Sequence, residues 1–103
     1  MNSDYLDLEQ AFRADVRWRI LRAAYISRPT PLTERILLIA LRSADLSVTP
    51  LELQRQSAYL RDKGLIEVEH TPAGVRLSPT SVGIDVVEGI LPCPPGVHCS
   101  PVN

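Results

Sequence analysis

With 103 residues, 45% apolar and 22% charged, the chain has the material for one domain with a modest core. A formal net charge of −1 excludes a strongly basic coat protein that grips nucleic acid regardless of sequence. The longest apolar run, Ile36 to Leu41, is far too short to span a bilayer, and the acidic opening from Asp4 to Glu9 is unlike a signal peptide.

In chain order, residues 5–26 read as a long helix. Leu8, Phe12, Val16, Ile20 and Ala24 recur every four residues, with Leu21 widening the apolar stripe. Pro29 and Pro31 break it, and either Thr30 or Thr33 caps a second helix that runs to about Ala44. The apolar segment Ile36–Leu41 predicts a helix buried on nearly every side, by neighbours or by a second chain. A short turn over residues 45–49 leads into a third helix, where Thr49, Pro50 and Glu52 form an N-terminal capping signal and Gly64 a stop. Leu53, Ser57 and Leu60 form its inner face, with Ser57 an unusual occupant for a core position.

Residues 65–70 and 75–78 then alternate as the two strands of a hairpin around Thr71-Pro72-Ala73-Gly74. Thr80 caps a short last helix bearing Val82, Val86, Val87 and Ile90. The expected fold is mainly α with a small β-hairpin, an α+β winged helix-turn-helix in the order α-α-α-β-β-α. It comprises a domain over 1–91, including an N-terminal helix extension, and an irregular proline-rich tail over 92–103 that contributes little to folding.

Charge is unevenly spread. Residues 1–12 carry −3, residues 13–42 carry +5, and the remainder carries −3. Ten of the eleven bases are arginine, a usage to which a GC-rich coding genome contributes most. The arginines of the first helix read mainly as a solvated face, and the acidic start complements this basic region of a second copy. Cys93, His98 and Cys99 offer too few and wrongly spaced ligands for zinc, so ordinary reduced thiols and a cytoplasmic protein, without metal or cofactor, are expected. Two histidines, no glycine-rich phosphate loop and no paired carboxylates give no catalytic constellation, so an enzyme is not expected.

The segment Tyr59-Leu60-Arg61-Asp62-Lys63-Gly64-Leu65-Ile66, with Thr80 and Gly83 closing the wing, resembles the winged-helix regulators of bacteria. Arg17-Trp18-Arg19-Ile20-Leu21, Gly83-Ile84-Asp85-Val86-Val87-Glu88-Gly89 and Cys93-Pro94-Pro95-Gly96 extend the resemblance, over about residues 17–96, to small winged-helix proteins of Mu-like transposable phages and prophages. Pro79 stands where such regulators carry an apolar residue before the capping threonine. The resemblance implies a bacterial or phage-infected host cell and a regulator or DNA-transaction accessory.

In that setting the third helix enters a major groove of double-stranded DNA. Gln54 reads bases, Arg55 and Arg61 carry the main contact, and Lys63 on the helix end and Arg76 on the hairpin touch phosphate. Glu67 and Glu69 oppose the single Arg76 on the hairpin, so its own role is weak. The competing expectation is a winged-helix interaction module that binds itself or a phage or host protein, including as an adaptor in phage DNA packaging. A homodimer is expected in either case, through the last helix, the apolar second helix or the first helix.

Overall fold

The structure, a computed structural model, describes residues 3–100, with side chains from residue 7 onward. The ends of the expected domain and tail, residues 1–2 and 101–103, lie outside the described residues. The elements are α1 (Ser3–Ser27), β1 (Leu32–Thr33), α2 (Glu34–Ser43), α3 (Pro50–Asp62), β2 (Ile66–Thr71), β3 (Gly74–Pro79) and α4 (Ser81–Val87). The fold is α+β, its described residues forming four helices and one antiparallel sheet in the order β1-β3-β2.

The expected element order is corrected at one point. A two-residue strand, β1, stands between α1 and α2 and pairs Leu32 with Leu77 and Thr33 with Arg76. Its two residues are too few for alternation to register in sequence, and they are extended because the backbone must enter the cap of α2. Thr33, at φ −77° and ψ 148°, is that cap, and its hydroxyl accepts from the Ile36 amide at 3.2 Å. Thr30 plays no such part.

Helix α3 forms as its local chemistry dictates. The Thr49 hydroxyl accepts from the Glu52 amide, and Pro50 fills a first-turn position that needs no amide donor. At the other end Gly64 adopts φ +75°, the Leu65 amide donates to the Leu60 carbonyl and the Gly64 amide to that of Arg61. This left-handed stop turns the chain directly into β2. Strand β3 pairs with β2 from Gly74 through Pro79, so Pro79 ends the strand within the ladder.

The core joins α1, α2, α3 and the inner face of the sheet around Ile20, Leu21, Leu37, Leu53, Leu60 and Leu77, all buried. Each such side chain contributes roughly 1.5–3 kcal/mol through apolar burial. Two sequence expectations are corrected here. Leu8 and Phe12 lie outside the core, because a spacing of four residues drifts by about 40° per step around a helix. The stripe therefore rotates off the buried side toward the N-terminus, while Trp18, not counted in it, is buried. Helix α2 is not enclosed: Leu37 and Leu41 are buried, but Ile36 and Ile39 are about half exposed.

Residues 92–100 have no regular structure, as expected, yet they are packed against the body. Val97 joins the core, the His98 amide donates to the Ala14 carbonyl, and the Tyr59 hydroxyl donates to the Pro95 carbonyl. Cys93 and Cys99 form a disulfide, which corrects the expectation of reduced thiols. Packing of Val97 and the turn at Pro94–Val97 bring the two cysteines to a Cα separation of 6.0 Å, a span that a disulfide bridges. Among the described residues, no helix is long and apolar enough to cross a membrane.

Candidate nucleic-acid interface

The exposed edge of α3 and the hairpin beside it frame a shallow open cleft of about 140 Å³. Gln54, Ser57, Ala58 and Arg61 form the helical wall, because positions three, four and seven apart share one side of a helix. Val68, His70 and Val75 form the hairpin wall, and Glu34 at the start of α2 closes one end. At the base, Ser57 is buried and its hydroxyl has no hydrogen-bond partner. The sequence places Ser57 on the inner face with Leu53 and Leu60, and it is buried; that it also lines this cleft beside Gln54, Ala58 and Arg61, with the hairpin opposite, was not readable.

The five residues expected to touch DNA do not form one surface. Gln54 and Arg61, about 20° apart around α3, both border the cleft, whereas Arg55 projects about 100° away from Gln54. Arg55 pairs with Glu52 at 3.7 Å, and Arg61 with the adjacent Asp62 at 3.2 Å. The Arg61–Asp62 pair is exposed on both sides and worth little, whereas Glu52 is mostly covered and also accepts from the Gln56 carboxamide, though Arg55 itself is exposed. The Lys63 ammonium lies 5.4 Å from the centre of the Tyr59 ring, on a different side from the cleft-lining pair.

Arg76 is in register with Glu69 and Thr33 on the outer face of the sheet. Strand alternation puts it, with Glu67 and Glu69, opposite the face that carries Val68, His70 and Val75. The hairpin therefore turns its acidic side away from the cleft.

The arginines of α1 are largely engaged. Arg13 pairs with Glu9 at 3.5 Å, and Arg19 with Asp15 at 3.7 Å. Arg17 is structural: its Nε donates to the Gln56 carboxamide at 2.7 Å and a terminal nitrogen donates to the Gly96 carbonyl at 2.9 Å. Its guanidinium also stacks on Tyr59 at 3.6 Å from the ring centre. Nothing in the local sequence marks Arg17 for this role, since its partners come from α3 and the tail.

The disulfide removes Cys93 and Cys99 as thiolate ligands beside His98, and among the described residues no group of three or more His, Cys, Asp or Glu side chains is placed to hold a metal. No family model matches the chain, and no curated protein or solved structure is similar to it at a significant level.

Proposed function

We propose that this protein is a winged-helix DNA-binding protein, acting as a regulator or DNA-transaction accessory in a phage or prophage setting. The observation that carries the reading is the pairing of Gln54 with Arg61 on one exposed edge of α3, beside a hairpin whose acidic face points away. A carboxamide and a guanidinium at that spacing match adenine and guanine edges, or a base edge and a phosphate. The winged-helix assignment is supported by three consecutive features: α2 and α3 joined by residues 44–49, the hairpin directly after α3, and a third strand on the far side of β3.

The charge around this edge argues for weak monomeric binding. Glu52 and Asp62 partly neutralise Arg55 and Arg61, so few counterions are displaced and the salt dependence is shallow. Titration of random and phage-derived duplexes at several salt concentrations, followed by fluorescence anisotropy, tests the reading. Arg61→Ala is expected to weaken binding more than Arg55→Ala, because Arg61 shares the edge with Gln54 and Arg55 does not. Absence of any complex at low salt would sink the assignment.

A second reading, a winged-helix protein-interaction module without sequence-specific DNA binding, draws on the same acids and on the half-exposed Ile36 and Ile39 of α2. A packaging adaptor is one form of it.

A further inference from the structure

The face of α1 that is turned away from the core carries a pattern complementary to itself. With about 100° per residue, a row of exposed and partly exposed side chains from Leu8 to Ile26 falls within one sector of roughly 120°; before Ala14 the helix is exposed on its other sides too, as at Gln10 and Arg13. Apolar side chains stand at both ends of this sector: Leu8 is 70% exposed, Phe12 41% and Ile26 67%. Its centre is charged, with Asp15 followed one turn later by Arg19.

We infer that this face binds the same face of a second copy, with the two α1 helices antiparallel about a two-fold axis between residues 15 and 19. In that register Leu8 of each copy meets Ile26 of the other, and the two contacts lie at opposite ends of the pair. Phe12 meets Arg22, a ring against a guanidinium, and the small residues Ala11 and Ala23 face each other and allow close approach. Asp15 meets Arg19 twice, once on each side of the axis.

The observations favour a second copy over an unrelated partner. A two-fold contact uses one patch twice, so every feature must meet its complement at the mirrored position. Here the apolar ends, the alanines and the opposite charges all do so at a single register. The charged centre remains available: the Asp15–Arg19 pair within the helix is 3.7 Å long and both side chains are over one-third exposed. Beside Ile26, an apolar groove of about 150 Å³ between α1 and α2, walled by Ala23, Leu37 and Ala40, lies where Leu8 of the other copy arrives.

The inference is independent of DNA binding, because its readout is the mass of the protein alone. Sedimentation equilibrium of the full chain is expected to give a dimer at tens of micromolar. Leu8→Glu and Ile26→Glu, both at exposed positions, are each expected to raise the dissociation constant at least tenfold with an unchanged circular dichroism spectrum. Arg19→Asp alone is expected to do the same by setting like charges together, and Asp15→Arg added to it to restore the dimer. In an oxidised mixture of Leu8→Cys and Ile26→Cys chains, the cross-link is expected between unlike variants. A mass of one chain at high micromolar concentration would overturn the inference and leave this face to a different protein. A dimer insensitive to both glutamate variants, or cross-linked mainly between like variants, would overturn it in favour of another face, such as Ile36 and Ile39 on α2.

Discussion

Leu60 is fully buried on the inner face of α3, the same helix that offers Gln54 and Arg61 to solvent. Its truncation to alanine removes core contacts that no neighbour refills, and is expected to cost about 2–5 kcal/mol, read as a lower denaturation midpoint. An unchanged midpoint would mean that the inner face of α3 is wrongly described. Gly83 matters for a different reason. It is buried where α4 crosses the chain after α3, and a Cβ there would press into the Leu65 carbonyl oxygen, with the Leu21 side chain close behind. Gly83→Ala is therefore expected to destabilise by about 1–3 kcal/mol despite alanine's better helix propensity. A melting temperature raised by this substitution would show that propensity outweighs the clash. Thr80 shares this junction: its hydroxyl donates to the Gly64 carbonyl at 2.6 Å and accepts from the Gly83 amide at 3.0 Å, so one side chain ties the stop of α3 to the start of α4.

At the scale of elements, the most consequential departure is the tail. Proline content and lack of apolar periodicity make it look detached, yet residues 95–98 are held by Arg17, Tyr59 and Ala14. The Cys93–Cys99 disulfide closes a short loop around these contacts and is expected to contribute roughly 2 kcal/mol by restricting the unfolded chain. Thermal melts with and without reductant, and of Cys93→Ser with Cys99→Ser, test this. Equal melting temperatures would show that side-chain contacts alone hold the segment. Such a bond persists in oxidising surroundings and opens in a reducing cytosol, so the same melts report how far tail docking depends on redox conditions. Across the molecule, Tyr25 makes the corresponding tie between α1 and the end of α4: its hydroxyl donates to a Glu88 carboxylate oxygen at 2.7 Å. That hydrogen bond, aided by desolvation and the carboxylate's charge, holds the phenol above its ordinary pKa.

For the whole molecule, the proposed functions place separate demands on separate surfaces. The edge of α3 carries one cation, Arg61, with Arg55 about 100° further round the helix, few charges for tight binding by one chain. The proposed antiparallel α1 contact would join two such edges in one particle, and binding of a duplex with two half-sites would then depend on the α1 face. Ile26→Glu is accordingly expected to weaken duplex binding by about tenfold or more while leaving Gln54 and Arg61 untouched. The conversion is about 1.4 kcal/mol of coupling per tenfold loss. Unchanged affinity in this variant would separate DNA binding from self-association.

Both ends of α3, the start of α4 and the hairpin were legible in the sequence because each is set within a few residues, whereas sequence alone does not choose between Thr30 and Thr33 for the cap of α2, and α4 ends at Val87, short of the expected Ile90. Thr49 and Pro50 start α3, Gly64 ends it, Thr80 starts α4, and alternation marks β2 and β3. The two-residue strand β1 was not legible, since its identity lies in its pairing with β3. Of the stripe on α1, Val16, Ile20, Leu21 and Ala24 are buried as expected, but where it leaves the buried side was not legible, because a four-residue repeat rotates slowly and only the packed neighbours select its buried portion. The expected DNA-contact residues were named from side-chain chemistry, which carries no direction in space. Tertiary structure grouped Gln54 with Arg61, turned Arg76 to the far face of the sheet, and committed Arg17 to the tail. Cys93 and Cys99 make the same point: their sulfurs were visible from the start, but only the docking of Val97 and the loop between them brought the pair within bonding distance.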